Sequence, residues 1–217
     1  MFRQKVIVLL VTDVETTGLS SKKCSIVSIG AIDFIHPERT FYRECKPWDG
    51  ALLEEGALNC NGFTREQLKE EKRMPLVQAM TDYIMWVLES QEQTLAGHNF
   101  GTFDSKFIKA AVEMYSLNWR IQSRCVDLHS LCYADYLKKG IPLPQRNNRT
   151  NITSDVAFQH VGLPLEPKPH NALTGAKCIA EAFSRIIYGK SLLEEFKQYP
   201  LPDHLRNNIQ LPPELLP

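Results

Sequence analysis

The chain has 217 residues, 43% of them hydrophobic and 23% charged, which suits one large globular domain, or one domain and a tail, with a buried core. Lysine and arginine balance aspartate and glutamate at 25 each, so no net charge draws the molecule to a polyanion or a lipid surface; a nucleic acid would have to be held locally or through metal ions. The six cysteines, Cys24, Cys45, Cys60, Cys125, Cys132 and Cys178, form no C-x-x-C pair and no regular spacing, which excludes a disulfide scaffold and predicts reduced thiols in a cytoplasmic protein.

The opening MFRQKVIVLLVTD imitates a signal peptide only faintly, because its apolar run is short and meets Asp13 without a small-residue cleavage site. No run reaches membrane-spanning length, so no membrane partner is expected. VIVLLV at residues 6–11 is β-branched and apolar at consecutive positions, as in a central strand covered on both faces. Residues 25–34 and 40–46 read as two further strands, and the short links favour an antiparallel meander. Residues 64–71 predict a short polar helix. Residues 75–88 predict a longer one, with Val77, Met80, Ile84, Val87 and Leu88 at helical spacing.

A brief strand over 94–97 leads to a helix over 102–114, with Phe103, Phe107, Ala110 and Met114 on one face. Further helices are expected over 126–138, 152–160 and 172–188. Early antiparallel strands followed by a strand and helices imply a mixed sheet in an α/β protein. Residues 1–190 then form the domain, and 191–217 a proline-containing tail. Phe196, Leu201, Leu205 and Leu215 would let that tail lie down as a strap.

Asp13-Val14-Glu15-Thr16-Thr17-Gly18 stands at the end of the first strand. Residues i and i+2 of a strand share a face, so Asp13 and Glu15 project together. Two buried carboxylates side by side repel and lose hydration unless a cation compensates, and an oxygen-rich site of this kind suits Mg2+ or Mn2+. From these six residues alone, a metal site and a strand end with solvated acids stand as equal readings.

In the middle of the chain, a strand runs through His98 and Asn99 into a helix whose first turn carries Asp104, flanked by Phe103 and Phe107. An acid there also suits the helix dipole, and His98 beside Asn99 reads as a hydrogen-bonded loop residue. Late in the chain, His170 precedes a helix whose stripe is Ala172, Ala176, Ile179, Phe183 and Ile187. Gly175 borders that stripe and looks toward the sheet. A glycine inside a helix costs about 1 kcal/mol relative to alanine, so its presence is a local inconsistency.

These stretches, D-V-E-T-T-G-L, H-N-x-x-x-F-D and H-N-A-L-T-x-A, resemble the three motifs of the DEDDh 3′→5′ exonucleases in order and spacing over residues 6–188. The resemblance implies a ribonuclease-H-like mixed sheet, with antiparallel strands 1–3 and then parallel strands, flanked by helices. It implies two divalent cations, Mg2+ or Mn2+, held by Asp13, Glu15 and Asp104, with His170 as general base. Two such ions about 3.5–4 Å apart clamp the attacking and leaving oxygens of a phosphodiester. It further implies contacts to the 3′ end of single-stranded DNA or RNA from Thr16, Thr17, Gly18, Leu19, His98 and Asn99, with Phe103 or Phe107 near a base. Homodimers and polymerase-bound forms occur among such relatives, though no stretch here marks an interface.

One position departs from the pattern. The family places its last aspartate five residues after the histidine, and this chain has Gly175. No acid close in sequence replaces it: Glu181 is expected to face away, and Asp155 in the preceding helix stays open. A disabled relative, a weakened variant and a shell completed from elsewhere are therefore all compatible with the sequence. The expectation for a disabled site is that Gly175→Asp raises metal affinity and turnover. A silent module binding nucleic acid or protein is the competing reading. A phosphatase with Asp13 as nucleophile is set aside, because the acid pairs Glu54-Glu55, Glu70-Glu71 and Glu194-Glu195 lie in polar or tail segments.

Overall fold

Strand β1 (Leu10–Thr16) is the centre of the sheet in a computed structural model that describes residues 9–91 and 93–206. It pairs antiparallel with β2 (Ile26–Asp33), which pairs antiparallel with β3 (Thr40–Glu44). On its other edge β4 (Leu95–Gly97) and then β5 (Val126–Asp127) add in parallel, so the order is β3-β2-β1-β4-β5. This is the mixed sheet that the sequence led us to expect. Alternation along β1 divides the core: Val11 joins Ile32 and Ala96 on one face, whereas Leu10 and Val14 join Ile29 and Ala31 on the other. Helices α3 (Leu76–Leu88) and α4 (Asp104–Met114) cover the second face, and α5 (Leu128–Lys138), α6 (Ser154–His160) and α7 (Ala172–Tyr188) cover the first.

Several expectations need correction. The first strand was expected over residues 6–11. Residues 6–8 lie outside the described ones, and the strand continues to Thr16 because β2 stays paired that far, with an irregularity between Glu15 and Thr16. Asp13 and Glu15 thus stand in the last residues of the strand, as their i, i+2 reading required. The expected helix over 126–138 starts two residues later, since Val126 and Asp127 pair with β4 and the Asp127 side chain then caps α5 by accepting the His129 N–H at 2.9 Å.

The buried face of α4 is Asp104, Phe107, Ile108, Ala111 and Val112, not the predicted stripe through Ala110 and Met114; Met114 is 48% exposed. In α3 the core side adds Leu76, Ala79, Tyr83 and Trp86, and Leu88 is exposed. The sequence reading missed α1 (Glu55–Asn61), whose composition is polar, and the small β6–β7 hairpin (Gln145–Arg146, Arg149–Thr150). Asn147 and Asn148, both at positive φ, turn that hairpin. The short α2 (Arg65–Lys69) is closed by a capping box from Thr64 and Gln67.

One glycine and one cap fix α7 over the sheet. Asn171 Oδ1 accepts from the N–H groups of Leu173 and Thr174, and Asn171 Nδ2 donates to Tyr42 on β3. Gly30 of β2 lies under the first turn, where a Cβ would stand 2.1 Å from the Ala172 carbonyl carbon, so only glycine admits the helix this close. Gly30 is also the cross-strand partner of Asp13, which brings the α7 N-terminus over that carboxylate.

Past α7, residues 190–206 turn back across the same face, through a 3-10 turn (Glu194–Phe196) and α8 (Asp203–Arg206). Arg185 and Glu181, both fully buried, tie this return down. Arg185 donates to Glu181 at 2.7 Å and to the carbonyls of Val161, Phe196 and Tyr199, and Glu181 accepts the N–H groups of Leu192 and Leu193. Phe196 and Leu205 are buried and Leu201 half-buried; Leu215 lies outside the described residues.

Candidate active site

A pocket of about 160 Å3 opens at the end of β1, lined by Asp13, Glu15, His98, Glu166, His170 and Gly175 among others. Asp13 and Glu15 enter it from the α7 face of the strand, as their i, i+2 spacing requires. Asp104 comes from the first turn of α4; it is 3% exposed, and its Oδ1 accepts the Val14 N–H at 3.0 Å, so it is tied to the strand between the two acids. His170 sits just before the Asn171 cap. Its backbone N–H donates to the Cys60 carbonyl at 2.9 Å, and its Nδ1 lies 3.4 Å from Cys60 Sγ.

The residue the sequence reading missed is Glu166. It lies four residues before His170 in the segment Glu-Pro-Lys-Pro-His, and its Oε2 is 3.7 Å from His170 Nδ1. Its side chain is 6% exposed, and its Oε1 is buried without a hydrogen-bond partner. Glu15, Glu166 and His170 each offer a ligand atom within 4.8 Å of the others. The only advance signal was an acid one helical turn ahead of the histidine in a proline-restricted loop. Asp155 does not line the pocket, and Glu181 faces away as expected, although it is buried against Arg185 rather than solvated.

Four acids in so little water perturb each other. Burial, and then the charges of Asp104, Glu15 and Glu166, lift Asp13 well above the usual carboxylate range. Burial first and Glu166 next push Glu15 up to about 8. Burial raises Asp104 to about 7 against the opposing pull of backbone N–H groups. Burial also raises Glu166, opposed by His170 and the Asn171 N–H. A cation in the pocket would favour the ionised form of every member of this set. An all-oxygen donor set beside one imidazole, with one carboxylate oxygen buried and unpaired, fits a hard divalent ion such as Mg2+ or Mn2+.

The remaining predicted contacts fall into two groups. Thr16 Oγ1 donates to the Gly18 carbonyl at 2.8 Å, and Thr17 Oγ1 accepts the Ser25 N–H at 2.8 Å, so both hydroxyls are engaged in closing the turn. Gly18 has no room for a side chain, since a Cβ would meet Glu54 at 2.4 Å. Leu19 is the outward-facing member, 80% exposed. His98 lines the pocket with Nε2 on the Ile152 carbonyl at 2.9 Å, and Asn99 at positive φ donates its N–H to Asp127. Phe107 is buried in the core, whereas Phe103, 5.1 Å from it between ring centroids, is only half-buried.

A larger groove, about 790 Å3, runs elsewhere between α4 and residues 119–125. Its acid Glu113 is outnumbered by Lys106, Lys109, Arg120 and Arg124, so its lining does not suit a cation.

Comparison with known proteins converges on one group. The exonuclease family RNase_T matches residues 10–183. Ribonuclease T of Cronobacter sakazakii is 28% identical over 120 residues, covering 50% of this chain and 53% of that protein, and Ribonuclease T of Pectobacterium atrosepticum is 28% identical over 127 residues with the same coverage. The chain thus spans about half the length of these curated relatives. Among solved structures, E. coli Exonuclease I in complex with a dT13 oligonucleotide superposes with a TM-score of 0.61 at 16% identity over 82% of this chain and 41% of that one. Cell-death related nuclease 4 superposes with a TM-score of 0.64 at 15% identity over 85% and 65%. The fold is therefore ribonuclease-H-like.

Proposed function

The chain belongs to the exonuclease family, and from that premise we propose that it removes nucleotides from 3′ ends of single-stranded DNA or RNA with the help of two divalent cations, Mg2+ or Mn2+. The observation that carries this reading is the convergence of Asp13, Glu15 and His170 at one small pocket of the sheet, with buried Asp104 held against the strand behind it through the Val14 N–H. Asp13, Glu15 and Asp104 would hold the ions. When bound, such ions neutralise the carboxylates and supply electrostatic stabilisation to the attacking and leaving oxygens of the phosphodiester.

His170 would take the proton of the attacking water on its imidazole. It suits this role because it is half-buried at the pocket mouth, with its backbone fixed by Cys60. The turn at Gly18 and the exposed Leu19 would receive the terminal nucleotide, and half-exposed Phe103 remains available to a base, which core-bound Phe107 is not. The Exonuclease I structures that superpose contain dT13 and dA16 oligonucleotides; a single strand is the substrate proposed for this chain on that support and on the geometry. Six free thiols support a cytoplasmic setting.

Hydrolysis of a 5′-labelled single-stranded oligonucleotide with Mn2+ tests the proposal. The expected product is a ladder shortening from the 3′ end and abolished by EDTA. An oligonucleotide that stays intact yet is retarded by the folded protein on a native gel would instead identify a silent binding module.

A further inference from the structure

Gly175 of α7 points at the two acids that any side chain there would meet. A Cβ built on it would stand 2.3 Å from Asp13 Oδ2 and 3.4 Å from Glu166 Oε1. The space beside Asp13 is therefore filled from a different segment. Glu166 reaches into it from the loop before α7, its side chain 6% exposed and its Oε1 buried with no hydrogen-bond partner. An orphaned carboxylate oxygen in a pocket that already holds Asp13 and Glu15 is expensive unless something positive occupies the pocket with it. Glu15, Glu166 and His170 meanwhile present ligand atoms within 4.8 Å of one another.

Building on the proposed divalent-metal reading of this pocket, we infer that Glu166 is a ligand of the metal site and supplies the carboxylate that α7 lacks at Gly175. The glycine then answers a requirement of space: the helix must leave room for the Asp13 carboxylate, and the further carboxylate arrives from the loop beside it. The segment suits the task, because Pro164, Pro167 and Pro169 around Glu166 restrict the loop and limit the ordering that binding demands. On this view position 175 is compensated. Gly175→Asp alone, expected from the motif comparison to raise affinity, should lower it by crowding Asp13 and Glu166 with a further negative group.

The alternative role for Glu166 is to orient His170, four residues away with Nδ1 3.7 Å from Oε2. Metal binding separates the two. Titration calorimetry of Mn2+ into EDTA-stripped protein should show two ions bound by the wild-type chain. In the isosteric Glu166→Gln variant, one of them should bind at least about 10-fold more weakly. Circular dichroism should show the same fold for both. The exchange variant Glu166→Ala/Gly175→Asp, in which removing Glu166 leaves room for the Asp13 carboxylate to shift away from the new Cβ and the carboxylate returns from the helix, should regain most of the lost affinity.

If Glu166→Gln binds both ions as the wild type does and only its pH–rate profile moves, Glu166 orients the histidine and the inference fails. If Mn2+ binding depends on Glu166 but no oligonucleotide is shortened, the ligand role stands and the exonuclease reading falls. A folded wild-type chain that binds no Mn2+ overturns both.

Discussion

His170 is the proton acceptor of the proposed reaction, and its setting makes that role separable from the one proposed for the acids. Its main chain is anchored to Cys60 and its ring stands at the pocket mouth, so replacing it removes a proton acceptor while leaving Asp13, Glu15 and Asp104 in place. We expect His170→Ala to reduce the rate of oligonucleotide hydrolysis about 10²–10⁴-fold, with Mn2+ stoichiometry retained. A variant that hydrolyses at the wild-type rate would remove the histidine from the mechanism. At this scale the placement of the candidate residues was legible where it follows a short local pattern: Asp13 and Glu15 by strand alternation, Asp104 by its place in a first helical turn, His170 by its place before a cap. Glu166 was not legible, because its proximity to Asp13 is created by the loop between α6 and α7 and leaves no periodic trace.

Helix α7 carries both the site and the closure of the molecule. Its first turn rests on Gly30, its second presents Gly175, and its C-terminal half holds the return segment through Glu181 and Arg185, both with no exposed side-chain surface. Removing one partner of such a pair leaves a buried charge uncompensated. Arg185→Met should therefore destabilise the protein by about 3–5 kcal/mol, read from urea unfolding, and should expose residues 190–206 to proteolysis. The double variant Arg185→Met/Glu181→Leu should recover much of the loss, since no charge is then stranded. A single variant within about 0.5 kcal/mol of wild type would show that the network adds nothing. The span of this helix was predicted to the residue because its caps and stripe agree. The stripe of α4 was mispredicted because Ile108 and Val112 turn inward to meet α3 and the sheet, a tertiary preference that spacing alone could not rank.

At the scale of the whole molecule, folding brings four carboxylates together, and stability should report it. Glu15 rises from the ordinary 4.5 to about 8 and Asp104 to about 7, so in the metal-free protein both bind protons more tightly when folded than when unfolded. The stability they contribute is fully present below their unfolded values and is lost as pH rises through the folded ones. The melting temperature of EDTA-treated protein should therefore fall between about pH 5 and about pH 8.5. Mn2+ should raise it most at the alkaline end, where the ionised set binds best. A metal-free melting temperature flat across that range would mean that the acids are less buried and less coupled than the structure has them.

The sequence by itself determined the mixed-sheet fold class, most of the longer strands and helices, the shared strand face of Asp13 and Glu15, and the presence of an unexplained glycine in α7. These depend on periods of two and 3.6 residues, on caps and on local spacing, which a chain carries in one dimension. The tertiary structure alone decided which side chains share space: that Gly30 seats α7 above Asp13, that Thr16 and Thr17 close a turn internally, and that Glu166 stands where a side chain on Gly175 would have reached. The reason is packing. A pocket's occupants are fixed by excluded volume and shared charge among segments distant along the chain, and neither quantity has a local signature.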